Sequence, residues 1–399
     1  MPLGLDRFGL RPVSQCHVER GDRGGVRLIG CEPEADASAR SCRACDGVAR
    51  VRSSWTRRLV HVPVGQRSTH LLVRVRRYEC RRCGRRWTDD LARAVPDGDA
   101  MTDAAAWRAV AEVVLRSKSV LACARDPACS WDMVNDAVLS RGLGHLVGDE
   151  RRFDGARMLG VDEHVWRHAP RGGRYVTVAV NPTPRRDGRP ARLLDMVEGR
   201  SGRAFADWLA ARPESFRDNV QVVAMDAFAG YKRAAARQAP RAAEVLDPFH
   251  VVQLAGQKLT KVRCRLRRET AGRRGTRSDP LYRCGRILLK TESPRTDRQR
   301  EKADEILADP ANGPLRLAHG ACKGCPELSV LGRTMKKRMR DILAFFDWDN
   351  NANGPTEAIN GRLETLRGIA LGFTNLGNYV TRSLLHAGGF RQAIQPHLR

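Results

Sequence analysis

Two aspartates follow short apolar segments of the kind that forms buried strands. Asp162 comes directly after residues 158–161, and Asp226 comes directly after residues 222–225. Because an apolar core excludes charged side chains, each acid indicates either an ion-paired strand end or a functional carboxylate. Phosphodiester cleavage by two divalent cations requires carboxylates that converge at one point, and Mg²⁺ prefers such oxygen ligands. The two aspartates are therefore candidate magnesium ligands, whereas the adjacent Glu163 should point to the opposite face of its strand.

A third acid is expected on a helix that begins near residue 354. Pro355 fits the first turn of a helix, where its missing N–H costs nothing. Glu357 and Glu364 are seven positions apart and therefore lie on one helical face. The residue pattern alone leaves both acids as candidates, although a place in the first turn, close to the preceding loop, favours Glu357.

Two Cys-x-x-Cys pairs in the N-terminal quarter have the spacing of a structural zinc site. The four cysteines are Cys42, Cys45, Cys80 and Cys83. Two such turns complete a tetrahedral site with no open position, so the site should stabilise the fold without performing catalysis. Two redox-active pairs are the alternative, and Cys16 and Cys31 are substitute ligands outside any pair. Cys322 and Cys325 form a third pair, which is interpreted as incidental because no second pair lies near it.

The chain is strongly basic. Its 399 residues contain 71 lysines and arginines against 45 acidic residues, which gives a formal net charge of +26. Such an excess predicts binding to a polyanion, most commonly nucleic acid. No apolar run approaches the ~18 residues that span a bilayer, and residues 1–12 lack the pattern of a signal peptide. A cytoplasmic protein with reduced thiols and no membrane partner is therefore expected.

Composition divides the chain into four regions. Residues 1–97 combine the cysteine pairs with strand-like segments, and residues 98–150 are helical. Residues 151–250 alternate strands and helices in the order β-β-β-α-β-α-β, which predicts an α/β domain with a mixed sheet. Residues 251–399 contain almost no strand signal. The expected fold class is therefore a multidomain α+β protein.

The helical region has the length and order of a helix-turn-helix. Residues 120–124 and 131–139 are predicted helices separated by a short turn, with Ser130 as the N-cap of the second helix. That second helix is expected to direct four side chains towards DNA or solvent. They are Trp131, Asp132, Asn135 and Asp136. A small three-helix bundle with no role in DNA binding is the alternative.

Five segments resemble one family of proteins and occur in that family's order. They are Gly-Val-Asp-Glu-His-Val-Trp (160–166), Val-Ala-Met-Asp-Ala-Phe (223–228), Asp-Pro-Phe-His-Val-Val (247–252), Asn-Gly-Pro-Thr-Glu-Ala-Ile-Asn-Gly-Arg (353–362) and Gly-Phe-Thr-Asn-Leu-Gly-Asn-Tyr (372–379). These segments are similar to the ISL3 family of bacterial insertion-sequence transposases. The resemblance runs from the cysteine pairs to Phe390, and the last acidic segment is its most specific part.

The resemblance implies an RNase H-like catalytic domain with an Asp-Asp-Glu triad that uses Mg²⁺ or Mn²⁺. It assigns the triad to Asp162, Asp226 and Glu357, and it selects Glu357 over Glu364. It also implies a structural Zn²⁺ in a zinc finger on the four paired cysteines, within residues 1–97. Residues 98–150 would then form a helix-turn-helix that binds the terminal inverted repeats of the element.

The resemblance further implies how the catalytic region is divided. Asp226 and Glu357 lie 131 positions apart in the chain. Such a gap implies a helical insertion at 251–345, between the first part of the catalytic core at 151–250 and the catalytic helix and tail at 346–399. Asp247 and His250 match a motif of related transposases and are expected to support the shape of the site rather than to bind metal.

The expected reaction is cleavage of double-stranded DNA and strand transfer into target DNA by a nucleoid-associated bacterial protein, with a homodimer as the candidate assembly. One run departs from the family, because residues 314–331 look contracted where family members usually have several tens more helical residues. The contraction keeps a second function open, a sequence-specific DNA-binding protein with an inactive, partly deleted catalytic domain. An RNase H-like nuclease that cuts without joining is a third.

Overall fold

The computed structural model describes residues 4–398, with gaps at 19–24, 35–39, 66, 97, 169–172, 273–275, 277–278, 291–292, 321–325 and 349–351. The side chains at 186, 187 and 271 also lie outside the description. Cys322 and Cys325, which were predicted to be incidental, fall in one of these gaps. The described residues form a mixed α+β protein with two five-stranded sheets and 16 helices.

The N-terminal sheet is built around one long hairpin. Its strands are β1 (Leu10–Val18), β2 (Val26–Pro33), β3 (Ala49–Val64), β4 (Arg67–Cys80) and β5 (Arg86–Thr88). Their order is β1-β2-β4-β3, and β5 pairs with the other end of β4. Leu71, Val73 and Val75 alternate along β4 and are buried with Ile29 of β2 in one apolar cluster. The alternation of apolar side chains along this strand therefore gives the sheet its core face.

Three helices follow this sheet. They are α1 (Asp103–Leu115), α2 (Val120–Arg125) and α3 (Trp131–Gly142). The residue before each helix caps it, because its hydroxyl oxygen accepts a backbone N–H of the first turn. These N-cap residues are Thr102, Ser119 and Ser130 for α1, α2 and α3 respectively. The prediction of Ser130 as an N-cap is confirmed.

The outer face of α3 differs from the prediction at one position. Trp131, Asp132 and Asp136 are exposed as expected, but Asn135 is only 7% exposed. Asn135 follows the buried Val134, and the next turn of the helix is buried where α3 contacts the long hairpin. The prediction was wrong for Asn135 because the sequence of the helix alone does not reveal which of its residues are buried by tertiary packing.

The second sheet carries the two aspartates. Its strands are β6 (Met158–Val165), β7 (Tyr175–Asn181), β8 (Arg192–Glu198), β9 (Val222–Met225) and β10 (Ala243–Leu246). They are ordered β10-β9-β6-β7-β8, with β7 antiparallel to β6 and β8, and with β9 parallel to β6 and β10. The connections contain α4 (Gly202–Ala210), α5 (Glu214–Asn219) and α6 (Ala229–Gln238). The predicted order of strands and helices along the chain and the predicted mixed sheet are confirmed, with α5 as an additional short helix.

Strand β6 is longer than predicted. The apolar run ends at Val161, but the strand continues to Val165 because its antiparallel partner β7 pairs with it through Tyr175. Asp162 therefore lies inside β6, and the expectation that it follows the strand was wrong. The parallel partner β9 ends opposite Val161, so Asp162 is the first residue of β6 beyond that pairing.

Among the described residues after 247, the regular elements are helices and no strand occurs. The helices are α7 (Pro248–Ala271), α8 (Pro280–Arg283), α9 (Gly285–Leu288), α10 (Asp297–Ala308), α11 (Gly313–His319), α12 (Pro326–Lys337), α13 (Met339–Asp347), α14 (Gly354–Ile369), α15 (Leu376–Ala387) and α16 (Arg391–Ile394). None of the helices in the described ranges is long and apolar enough to cross a membrane.

Helices cover both faces of the second sheet. On one face, α4 and α6 pack Phe205 and Tyr231 against Leu159 of β6. On the other face, α14 and α15 pack Leu363 and Leu384 against β7 and β8. Helix α13 packs beside β10, and the long α7 forms a separate small core with α10 and α11. Helix α14 also packs against β6, the central strand of the sheet.

Candidate active site and cysteine cluster

The two aspartates leave neighbouring parallel strands at the same level. Val161 of β6 pairs with Met225, the last residue of β9, and an aspartate follows each of these two residues in the chain. Parallel pairing makes the two side chains neighbours at one edge, which brings their charges into interaction. The structure therefore brings Asp162 and Asp226 together, as the apolar segments before them predict.

Helix α14 sits on β6 because a glycine leaves room for it. A Cβ on Gly160 would lie 2.0 Å from Thr356 Oγ1 and 3.0 Å from Asn353 Oδ1. The fully buried Asn353 donates from Nδ2 to the carbonyl of Val161 at 3.2 Å, and its backbone N–H donates to Asp247 Oδ2 at 2.8 Å. These contacts fix the first turn of the helix, which carries Glu357, beside the residue that precedes Asp162.

The carboxyl group of Asp162 is held at both oxygens. Oδ1 accepts the backbone N–H of Glu163 at 2.8 Å, and Oδ2 accepts Nδ2 of Asn360 at 3.0 Å. Burial raises the pKa of Asp162 to about 6, and the negative charge of Asp226 adds to this rise. Glu163 is exposed and lies 3.7 Å from Arg200, which agrees with the expected alternation of faces.

Asp226 lies in the short connection between β9 and α6. Its Oδ1 accepts the backbone N–H of Phe228 at 2.9 Å, which closes a tight turn after the strand. The carbonyl of the intervening Ala227 accepts Nη1 of Arg338 at 3.3 Å. Arg338 also pairs with Asp341, whose carboxylate accepts Lys232 Nζ at 2.7 Å. The insertion therefore contacts the connection that carries Asp226.

Glu357 lies near a histidine rather than in contact with either aspartate. Its Oε1 is 3.8 Å from Nε2 of His250, and ligand atoms of Asp247, His250 and Glu357 all lie within 4.8 Å of one another. This spacing suits a cation. Both oxygens of Asp247 already accept backbone N–H groups, from Phe249 and Asn353, and the side chain is 2% exposed. We therefore interpret Asp247 as a structural carboxylate that joins α7 to the start of α14.

The three acids selected from the sequence do not form one close cluster. Among the residues that the structure describes, the groups with ligand atoms within 4.8 Å are the four cysteines and the Asp247 group. The alternative acid Glu364 lies further along α14, pairs with Arg367 and is 3.9 Å from Nε2 of His164. Glu364 therefore lies beside His164, two residues beyond Asp162 in β6, whereas Glu357 lies beside His250.

The four paired cysteines meet as predicted. Cys42 Sγ lies 3.6 Å from Cys83 Sγ, and Cys45 Sγ lies 3.5 Å from Cys80 Sγ. The backbone N–H of Cys83, followed by that of Arg82, lowers the pKa of Cys80 to about 6. Both turns are tight, because Gly84 has a φ of +72° and a Cβ on Gly47 would lie 3.0 Å from Cys80 Sγ. The set of thiols and its low-pKa member suit a structural metal ion.

The substitute cysteines lie elsewhere. Cys31 is buried in the core of the N-terminal sheet, where burial raises the pKa of its thiol to about 11. Cys16 is exposed on β1. Neither belongs to the cysteine cluster, so the expected ligand list is the one that the geometry supports.

Comparison with known families identifies the class of protein. Two segments of the chain, residues 159–322 and 315–383, match a family model described as a transposase, DDE_Tnp_ISL3. Together they span more than half of the chain. The chain therefore belongs to the ISL3 transposase family, and the family predicted from the five segments is confirmed. No functionally curated protein matches the chain.

Several residues of the site escaped the sequence interpretation. Asn353 holds the start of α14 on β6, and Asn360 donates to the carboxylate of Asp162. Arg338 contacts the connection between β9 and α6 that carries Asp226. Both asparagines lie in the segment that carried the family resemblance, which was the available signal. Arg338 gave no such signal, because its partner lies 111 positions away in the chain.

Proposed function

We propose that the chain is a DDE transposase with an RNase H-like catalytic domain. It cleaves DNA at the ends of its insertion sequence and joins the freed 3′-hydroxyl to target DNA, using Mg²⁺ or Mn²⁺. Its catalytic residues are Asp162, Asp226 and Glu357, and it binds the terminal inverted repeats of the element. We propose a homodimer on paired DNA ends, acting at the bacterial nucleoid.

One observation carries the proposal. The pairing of Val161 with Met225 sets Asp162 and Asp226 side by side. The buried Asn353 joins the first turn of α14 to β6, the strand that contains Val161. Carboxylates from two strands and a helix then face one edge of the sheet. Membership of the transposase family, which rests on the whole segment 159–383, supports the proposal independently.

The strand order supports an RNase H-like assignment for the second sheet. Three antiparallel strands, β6 to β8, are followed by two strands that extend the sheet parallel to β6 on its other side. In such a sheet the first strand is central, and residues at its end meet those of the fourth. Asp162 and Asp226 occupy these two positions.

The carboxylates suit a divalent cation. The pKa of Asp162 is raised because a buried carboxylate lies near the charge of Asp226, and a bound cation would offset both effects. When bound, two such ions would activate the attacking oxygen and stabilise the leaving oxygen. Asn360 orients the Asp162 carboxylate, the N–H of Phe228 orients that of Asp226, and His250 lies within reach of Glu357.

The four cysteines are proposed to hold a structural Zn²⁺. Two facing Cys-x-x-Cys turns supply a closed set of four thiolates, which leaves no position for a substrate. The zinc finger and the three helices after it belong to the proposed DNA-binding half of the chain.

The replacement Asp226→Asn tests the catalytic proposal. It keeps the shape and the acceptor for the Phe228 N–H but removes the charge, so cleavage of a duplex carrying the terminal repeat should fall by more than about 100-fold in Mg²⁺ or Mn²⁺. Asp207→Asn, on the exposed face of α4, is the matched control and should cleave like the wild type. Wild-type cleavage by Asp226→Asn would contradict the assignment.

A second function is favoured by a break in the family match. The two matched segments overlap at residues 315–322, inside the run that is predicted to be contracted. A chain with a defective insertion would bind its DNA sequence without cutting it. Binding to the terminal repeat with no cleavage in either Mg²⁺ or Mn²⁺ would support this function, whereas cleavage followed by strand transfer would exclude it and a nuclease that only cuts.

A further inference from the structure

The long hairpin continues beyond the rest of the N-terminal sheet as a two-stranded ribbon. β4 pairs with β2 only from Ser68 to Val73, whereas β3 and β4 stay paired as far as Ala49 and Cys80. β5 adds only three residues to the far edge of β4. Within the described residues, no strand pairs with the outer edge of β3. We call this extension, residues 42–57 and 73–88 with the cysteine turns at its tip, the arginine ribbon.

Strand β3 of the arginine ribbon is open to solvent on both of its faces, whereas Val73, Val75 and Tyr78 of β4 are buried on one face. Residues 50–56 of β3 are all exposed, although alternate side chains along a strand point in opposite directions. A strand of nine residues, such as 49–57, is about 30 Å long. The ribbon is therefore a narrow arm, and a two-stranded ribbon of this kind fits the major groove of B-DNA, which is about 12 Å wide.

The hairpin that forms the arm contains an unusual concentration of positive charge. Residues 42–88 contain 13 arginines against Asp46 and Glu79, a formal charge of +11 (13 − 2). Zinc bound by four thiolates would add −2 and leave +9. Glu79 pairs with three arginines, whereas Arg74, Arg81 and Arg85 are exposed and have no ion-pair partner among the described residues. These three arginines are available to phosphates.

Apolar side chains lie between these charges. Trp55 is 42% exposed with the guanidinium of Arg77 at 5.7 Å from its ring, and Val51 and Val48 are 52% and 68% exposed. In a DNA groove such apolar side chains contact sugars and thymine methyl groups.

The three-helix module offers no comparable surface. Residues 103–147 contain five basic and five acidic residues, a formal charge of zero (5 − 5). The exposed start of α3, the part that a recognition helix inserts into DNA, presents Asp132 and Asp136. Carboxylates at these positions repel phosphates. The charge of the N-terminal half therefore resides on the hairpin.

The helical module instead braces the base of the arm. The hydroxyl of Ser68 donates to the carbonyl of Asp126, and Nε2 of His70 lies 2.8 Å from the carbonyl of Pro127. The backbone N–H of Val60 in β3 donates to the carbonyl of Ala100 at 2.9 Å. These contacts fix the hairpin on α1–α3 at the end opposite the cysteines.

We propose that the arginine ribbon, rather than α3, is the surface by which the chain binds double-stranded DNA, with the arm in the major groove. The inference rests on the proposed function for its partner, DNA, and adds the surface that makes the contact. The arginines contact phosphates on both sides of the groove, and Trp55 contacts the groove itself. The three helices position the arm.

Binding of the full-length, zinc-loaded protein to a 30-base-pair mixed-sequence duplex tests this assignment, by fluorescence anisotropy without added Mg²⁺ or Mn²⁺. The triple change Arg74→Ala, Arg81→Ala and Arg85→Ala removes three phosphate contacts. It should weaken binding at least tenfold at 0.1 M salt and reduce the slope of log K against log salt by about 2.7. A charge-matched triple on the helical module, Arg108→Ala, Arg116→Ala and Arg125→Ala, should change affinity less than threefold.

Two further variants separate charge from shape. Replacing the same three ribbon arginines with lysine should keep the salt slope, and Trp55→Ala should lower affinity about tenfold without changing the slope. Unchanged zinc content and circular dichroism establish that each variant is folded. Equal or greater loss in the helical triple than in the ribbon triple overturns the proposal.

The outcomes also separate this inference from the proposed function. A wild-type protein that binds the duplex through the ribbon but never cleaves supports the inference and defeats the catalytic proposal. A wild-type protein that cleaves while the ribbon triple binds normally defeats the inference alone. A wild-type protein that binds no DNA defeats both.

Discussion

The cysteine cluster and the acid site are assembled in opposite ways. The cluster combines two short turns that flank one hairpin, and the pairing of Ala49 with Cys80 is sufficient to bring them together. The acid site combines β6, β9 and α14, three elements from separate parts of the chain. Its geometry depends on Gly160, on the buried Asn353 and on Asp247, none of which carries out chemistry.

This difference predicts different sensitivities. A site built from one hairpin should fail only when its ligands or their turns change. A site built from distant elements should also fail when a packing residue changes by a single methyl group or one hydrogen bond. A substitution at one site should therefore leave the other site unchanged.

Cys80→Ser should remove the zinc ion and unfold the tip of the hairpin. Structural zinc contributes on the order of 10 kcal/mol to the folding of small zinc modules. The zinc content measured by elemental analysis should fall from about one ion per chain to near zero. The exposed Cys16, replaced in the same way, is the control and should keep its zinc. Zinc content unaffected by Cys80→Ser would remove this residue from the ligand list.

Gly160→Ala should disable the acid site while leaving zinc content unchanged. The added Cβ would lie 2.0 Å from Thr356 Oγ1, so α14 must move away from β6. Cleavage should fall by about 100-fold, and the free energy of unfolding should fall by about 1–3 kcal/mol.

The matched test adds Thr356→Ala to Gly160→Ala. This second change removes the clashing hydroxyl and leaves the nearest Thr356 atom, its Cβ, at 3.4 Å. Both stability and cleavage should recover in part in the double variant, relative to Thr356→Ala alone. If the losses of the two single variants simply add in the double variant, the effect of Gly160→Ala does not come from the close approach of Thr356 to Gly160.

Asp162→Asn should stabilise the metal-free protein at neutral pH. Burial raises the pKa of Asp162 in the folded state to about 6, above its usual value near 4, so the fold prefers the protonated acid. The wild type therefore loses stability as the pH rises from about 4 to about 6, by up to about 3 kcal/mol. The asparagine variant should lack this loss.

Denaturant unfolding at pH 4 and pH 7.5, without divalent ions, measures the difference. The two proteins should have similar stability at pH 4, and the variant should be more stable at pH 7.5. The exposed Asp207→Asn should show no such pH-dependent difference from the wild type. A variant less stable than the wild type at pH 7.5 would mean that ionised Asp162 is well solvated in the fold.

Asp247→Asn should produce the smallest effect. The amide keeps one acceptor oxygen but leaves either the Phe249 or the Asn353 N–H without its partner, which should cost about 1 kcal/mol. Cleavage should fall several-fold with the affinity for Mg²⁺ unchanged. The cap Asp309, replaced by asparagine, is the control in a turn away from the site. A large drop in Mg²⁺ affinity would make Asp247 a metal ligand after all.

The same difference explains what could be predicted from the sequence. The spacing of the cysteine pairs predicted the four-cysteine cluster, and the position of Ser130 before an apolar helix predicted the N-cap of α3. Both features depend mainly on residues that are close in the chain. The strand order of residues 158–246 followed from apolar runs and their breaks. Asp162 and Asp226 were selected because each follows such a run.

Features that depend on distant partners escaped prediction. The continuation of β6 to Val165 requires β7, and the burial of Asn135 depends on the packing of α3 against other elements. The choice of Glu357 over Glu364 needed the family resemblance, because both lie on one face of α14. The contact of Arg338 with Ala227 had no local signal at all.

The C-terminal helices join the two halves of the molecule. Leu385 of α15 and Ile394 of α16 are buried in the same cluster as Trp107 of α1, and α15 also packs on β8 of the second sheet. The arm that we propose to grip DNA and the acids that we propose to cut it are thus parts of one frame. Such a frame would fix, through the geometry of the protein, the number of base pairs between the bound DNA sequence and the cut.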